Sequence, residues 1–353
     1  MATLPLRGAA ATDYRVEVIA EGLRWPWSVA LLPDGDFLVT EREGRLLHLQ
    51  ADGTREVLTG TPGTLFGGQG GYFDVVLHPD FRSNSLLYLS YATGTSNANT
   101  LALFRARLVD DGIEDGATIL EVDPLKSTPQ HYGGRLLFLP DNSLLITTGD
   151  GFEHREQAQD LGGEMGKVLR VDDQGQALPD NPFSAEVSER IWSYGHRNPQ
   201  GLAYDPEREQ VYLHEHGPRG GDEVNRIEKG GNYGWPAVTH GVDYSGAFVS
   251  PFSTAPGMVD PLWVWVPSIA PSGLAIYRGD EFPDWRGDLL VGALVDREVR
   301  RLRLSDGEIA EEQPLLTELG ERIRDVRVFD GAVYVLTDSE DGRLLRLLPP
   351  NQD

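Results

Sequence analysis

Cysteine is absent from this 353-residue chain, which excludes disulfides, a thiolate nucleophile and any cysteine-based metal site. No apolar run approaches the roughly 20 residues of a membrane-crossing helix. Basic residues are few: 31 Lys and Arg face 55 Asp and Glu, for a net charge of −24. Phosphate backbones and anionic membrane surfaces would be repelled, so neither nucleic acid nor a membrane is an expected partner. The sequence has no GxGxxG after a strand, no GxxxxGK[ST] and no GxSxG, so a nucleotide cradle and a hydrolase elbow have no support. Residues 1–13 are small and polar and lack the apolar core of a signal peptide. They read as a flexible N-terminal segment, and the start MATLPLRGAAATDYR suits a mature chain behind an added Met.

Turn formers are plentiful, with 41 Gly and 23 Pro. They punctuate a repeat. An apolar stretch, a Pro/Asp/Gly-type turn and a second apolar stretch recur as SVALLPDGDFLVT, DVVLHPDFRSNSLLYLSY, RLLFLPDNSLLITTGD, GLAYDPEREQVYLHEHG, GLAIYRGDEFPDWRGDLLVGAL and DVRVFDGAVYVLTD. A third, more basic strand follows most copies: GRLLHLQADG, ALFRARLVDDG, GKVLRVDDQG, DEVNRIEKGG, EVRRLRLSDG and GRLLRLLP. Six copies about 45 to 70 residues apart predict an all-β, six-bladed β-propeller of four-stranded sheets. A blade cannot bury both faces alone, so neighbours must stack and the ring must close. The propeller is expected to be one domain over the whole chain, with residues 14–20 completing the last blade. The stretch 158–168 is the best candidate for a short helix. Insertions at 91–99, 149–159, 180–189 and 239–261 predict loops at the faces of the disc.

Polar chemistry concentrates in 191–235, where His196, Arg197, Asn198, His214, His216 and Asp222 flank short apolar runs. Loops on a rigid scaffold are where function usually sits. His214 and His216 stand two apart on a strand, hence on one face, but no HExxH accompanies them and a zinc site is not favoured.

Seven compound motifs carry a resemblance: GGQGGYFDVVLHPDF, HYGGRLLF, YGHRNPQGLAY, EHGPRGGDEVN, NYGWP, PSIAPSGLAIY and ERIRDV. In this order, over residues 15–348, they resemble the soluble PQQ-dependent sugar dehydrogenases, nearest the aldose sugar dehydrogenase branch. The resemblance implies a six-bladed propeller, in agreement with the repeat count, and oxidation of the anomeric hydroxyl of aldoses to lactones. It implies PQQ and Ca²⁺ as cofactors and an external electron acceptor. PQQ is a planar ortho-quinone bearing three carboxylates, so an acidic protein needs a local basic cluster to hold it. Arg322 and Arg324, two apart, suit bidentate carboxylate pairing. By the same resemblance Arg197 and Asn198 lie beside the quinone oxygens, Ser268 bonds the cofactor and His216 lines its ring. His131 is expected as general base, its neutral imidazole taking the hydroxyl proton, with Arg197 as its catalytic partner and Gln69 as a substrate contact. Carbonyls of Gly217 and Pro218 are expected to ligate Ca²⁺, with Asp222, Glu223 and Tyr233 around a second one; oxygen donors suit this hard cation.

Three positions depart from the family. Val295 stands where some members carry Lys, Val266 where the glucose-specific branch is aromatic, and Gln130 precedes His131 in place of Asp. These leave the cofactor reading intact and point to a broad aldose range. A non-catalytic partner-binding propeller and a Ca²⁺-dependent lactonase-type hydrolase are the competing readings. The resemblance also implies a periplasmic or secreted protein.

Overall fold

The structure is a computed structural model that describes residues 14–109, 112–184 and 188–350; the expected flexible segment 1–13 lies outside them. Six four-stranded antiparallel sheets follow one another along the chain and form a six-bladed β-propeller. Blades 1 to 5 span 26–57, 72–121, 133–194, 199–265 and 271–315, and blade 6 takes 323–348. Each of the six repeats read from the sequence supplies the first, second and third strands of one blade.

The innermost strand of each blade packs against that of the next, and blade 6 packs against blade 1. Closure is made by Arg15–Leu23, which pairs antiparallel with Gly342–Leu348 as the fourth strand of blade 6. That agrees with the role expected for 14–20. The apolar core is divided accordingly, into six clusters with one between each pair of neighbouring blades. The innermost strands are short and buried, as in Pro271–Ile276, because both their faces meet other blades.

Two local expectations are corrected. Residues 91–99 are not a loop: Leu86–Thr95 and Ala98–Val109 are long paired strands that carry the hairpin outward. The stretch 158–168 is helical only at its start, where a 3-10 turn over Arg155–Gln159 ends, and strand Lys167–Val171 follows. Gly162, Gly163 and Gly166 lie between them, and glycine weakens a helix. The expected insertion 239–261 is without strands. Among the described residues no helix is long and apolar enough to cross a membrane.

Polar side chains from several blades meet on the innermost strands. Asp74 of blade 2 accepts Ser28 Oγ–H of blade 1 at 2.5 Å, the Leu136 N–H of blade 3 at 3.0 Å and Arg327 of blade 6 at 2.5 Å. Arg135 pairs with Asp325 at 2.9 Å and lies 4.1 Å over the Trp27 ring.

Candidate active site

Residues just before the first strand of a blade and just after its second gather at one end of the channel. They line a cavity of about 760 Å³, contributed by all six blades and their entry loops. Its walls are aromatic at Trp25, Trp27, Phe73 and Tyr132 and basic at Arg42, Arg322 and Arg324; Gln69, Asn198, Gln200 and His216 add hydrogen-bonding groups.

His131 immediately precedes the cavity-lining Tyr132 and Gly133 and is itself buried. Its backbone is left-handed, φ +49, which a residue with a Cβ adopts at a cost of roughly 1–2 kcal/mol. Its N–H donates to Gln69 Oε1 at 2.8 Å, and its ring Nδ1 lies 2.6 Å from Asp150 Oδ1. The exit of strand Leu144–Thr148 reaches that ring because residue 149 is glycine: a Cβ there would come 2.2 Å from the His131 carbonyl oxygen. Burial raises the pKa of Asp150, yet His131 and Arg197 outweigh it and hold the carboxyl below 3.8. Asp150 is therefore a carboxylate that can only accept, so Nδ1 carries the hydrogen and Nε2 keeps its lone pair. Burial pushes the His131 pKa below 6.5, Asp150 opposes it, and Arg197 and Lys126 add to the fall. Lys126 is held nearby, 3.3 Å over the Tyr132 ring, with its own pKa pushed down to about 7, chiefly by burial.

Arg197 is buried and stacked 5.2 Å over Trp235. Its Nη1 donates to the His216 carbonyl at 3.1 Å and to the Gly217 carbonyl at 2.5 Å. Its own carbonyl accepts the Asp150 N–H at 2.8 Å, which ties it to the His131 pair. Asn198 lines the cavity and accepts the Gly133 N–H at 3.3 Å. His216 also lines it and donates Nε2–H to the Pro271 carbonyl at 2.6 Å; burial pushes its pKa down to about 3, so it is neutral. His214 is spent in the same way on the Gly273 carbonyl. Arg322 and Arg324 share Asp338, whose carboxyl they hold below its usual range against the effect of burial.

Ser268 is not among the cavity-lining residues; its hydroxyl donates to Asp222 at 2.9 Å. Asp222 also accepts the N–H groups of Gly217 and Ala270, so its carboxylate holds loops together. The Tyr233 hydroxyl is used by Arg226 and Glu228. Glu223 borders a hole of about 10 Å³ that it shares with Glu215, Gly217 and Tyr233. Burial, then the charge of Glu215, raises its pKa well above 4.5.

The sequence profile of the glucose/sorbosone dehydrogenases matches residues 23–346. The chain belongs to that family. It is 43% identical, over 97% of its length and 95% of the relative's, to the aldose sugar dehydrogenase YliI of Escherichia coli. The crystal structure of the soluble E. coli aldose sugar dehydrogenase in its apo-form covers 96% of the chain, and the chain all of it, at 42% identity and a TM-score of 0.92. The PQQ-bound aldose sugar dehydrogenase of Streptomyces coelicolor is similar at 28% identity and a TM-score of 0.80, over 96% of this chain and 99% of that one.

The dehydrogenase's cavity fits PQQ chemically. Flat aromatic walls suit a tricyclic quinone, and three guanidiniums against the single carboxylate of Asp338 suit its carboxylates. Calcium fits unevenly. The Gly217 carbonyl already accepts an N–H of the Arg197 guanidinium, so a cation ligated there would share that oxygen with a fixed positive charge. No three His, Cys, Asp or Glu side chains come together as a metal cluster among the described residues. The hole at Glu223 does suit a hard cation, since two carboxylates adjoin a space on the scale of one water or ion.

Four residues were not picked out from the sequence: Asp150, Arg42, Asp338 and Trp235, whose indole N–H donates to Asp150 at 2.8 Å. Three of them shared one signal. Arg42, Asp150 and Asp338 stand at the exit of the second strand in their repeats, as His216 does.

Proposed function

We propose that the chain is a PQQ-dependent aldose dehydrogenase that oxidises the anomeric hydroxyl to a lactone with His131 as general base. The observation that carries this reading is the His131–Asp150 pair, buried beside a cavity with an excess of positive charge. His131 Nε2 takes the proton of the C1 hydroxyl while the C1–H electron pair leaves as hydride, so that C1 becomes the lactone carbonyl. Bound PQQ supplies the quinone carbonyl that accepts the hydride, and the electrons pass later to an external acceptor. Arg322, Arg324, Asn198 and His216 are assigned to holding PQQ, and Ser268 to a peripheral contact made through its hydroxyl oxygen. Arg197 keeps its Nε and Nη2 groups without an acceptor among the described residues and is assigned to stabilising negative charge in a site shielded from water. Gln69, exposed at the cavity, offers its free amide nitrogen to the sugar. Ca²⁺ is assigned to Glu223 and Glu215, with Asp222 and Tyr233 shaping that region and Gly217 and Pro218 lying beside it. A periplasmic or secreted location goes with the external acceptor.

The test is sugar-dependent dye reduction by the purified chain after addition of PQQ and Ca²⁺. Turnover should appear with several aldoses and drop about 10² to 10⁴-fold in His131→Ala, with the PQQ dissociation constant unchanged. Normal turnover of that variant at saturating PQQ and sugar would place the base elsewhere.

A further inference from the structure

Arg42 follows strand Phe37–Glu41 of blade 1 and lines the cavity. Its Nη2 donates to the carbonyls of Gly68 at 2.6 Å and Gly70 at 3.3 Å. A guanidinium has five N–H donors, and here Nε and Nη1 have no acceptor among the described residues. Arg322 and Arg324 share a carboxylate, whereas Arg42 has no ion-pair partner among the described residues. Burial, then the positive charge of Arg324, disfavour its charged form, and the charge of Asp338, beyond ion-pair distance, offsets them only in part. A half-buried cation in this position, without a direct ion pair among the described residues and facing a cavity, calls for an anion.

We propose that Arg42 is a further ligand-binding residue, whose free N–H donors and positive charge meet an anionic group of the molecule that fills the cavity. On the reading given above, which this inference presupposes, that group is a carboxylate of PQQ. A charge-assisted N–H···O bond from a guanidinium to a carboxylate is roughly twice as strong as a neutral one. The other face of the same guanidinium grips the carbonyls on either side of Gln69, and Gln69 Oε1 accepts the His131 N–H. Arg42 thus joins the charged end of the site to the loop that carries the sugar contact, and its loss should raise the KM for sugar as well as weaken PQQ.

The test is equilibrium binding of PQQ to the full chain, followed by its absorbance and by quenching of tryptophan fluorescence at several salt concentrations. Arg42→Gln keeps an N–H donor for the loop and removes the charge. It should weaken PQQ about 10- to 100-fold and flatten the salt dependence, because one screened charge contact has gone. Arg42→Lys should keep the steep salt dependence. A role confined to holding the loop would leave the salt dependence of both variants at the wild-type value. Wild-type affinity and salt dependence in a folded Arg42→Gln would overturn the inference while leaving PQQ binding by the wild type intact. Failure of the wild type to bind PQQ would instead overturn the functional reading itself. Phenylglyoxal labelling of the wild type needs no variant to fold: PQQ should protect Arg42 in the mapped peptides, and unchanged labelling at saturating PQQ would overturn the proposal.

Discussion

A single carboxylate fixes what the His131 ring can do. Asp150 Oδ1 faces His131 Nδ1 and also accepts the Phe152 N–H at 2.8 Å, while Oδ2 accepts the Trp235 indole. With both oxygens anchored, Asp150 cannot rotate away, and the imidazole is held in the tautomer whose Nε2 is basic. Because burial lowers the His131 pKa, the base form persists below pH 6.5, and kcat/KM should fall only on further acidification. Asp150 favours the protonated imidazole, so removing its charge lowers the His131 pKa again. In Asp150→Asn the acid limb of the kcat/KM profile should therefore move to lower pH, with kcat itself down by about 10² or more because an amide can donate to Nδ1 and favour the wrong tautomer. Profiles recorded at saturating PQQ decide this; an acid limb displaced to higher pH would contradict the assigned coupling.

Strand Arg15–Leu23 shows what an element does here beyond its own hydrogen bonds. Leu23 is fully buried in the cluster between blades 6 and 1, whereas Val18 on the same strand is 45% exposed. Leu23→Ala should cost about 2–5 kcal/mol, the scale for a truncated core leucine. Val18→Ala should cost far less, and urea unfolding of both variants would expose a strand that is not clasped into the ring. The blades themselves were legible because each repeat is a strand, a turn and a strand of nearly unbroken apolar residues, and closing the ring leaves that pattern no other use. The hairpin at 91–99 was not: TGTSNAN reads as turn composition, and only its pairing partner makes it strand. Arg42 and Asp150 were hidden for a related reason. A lone charged residue after a strand resembles a solvated turn until six blades bring those exits to one place. Arg322 and Arg324 were legible because they occur as a pair, and His131 and Arg197 because long motifs surround them.

At the scale of the whole molecule, an acidic chain of net charge −24 concentrates positive charge in its cavity and balances buried charges on its innermost strands. Asp74, fully buried, meets groups from blades 1, 3 and 6. Arg327 lies between Asp74 and Asp325, and these carboxylates outweigh burial and raise its pKa; Asp325 in turn pairs with Arg135. Such a network contributes through complete pairing, since breaking a buried pair costs more than the pair adds over apolar packing. Asp74→Ala leaves Arg327 with Asp325 as its remaining carboxylate, which Arg135 already uses, and strands the Ser28 hydroxyl and the Leu136 N–H. The expected loss is about 3–5 kcal/mol. The exposed pair Arg107–Glu114 offers the control, because solvent screens it and Glu114→Ala should leave stability unchanged within error. Chemical unfolding of the two variants at one pH and salt concentration makes the comparison. If Asp74→Ala proved as mild as the surface change, water or neighbouring groups would be satisfying Arg327 and Ser28, and the ring would owe its closure to the apolar clusters and the strand Arg15–Leu23 alone.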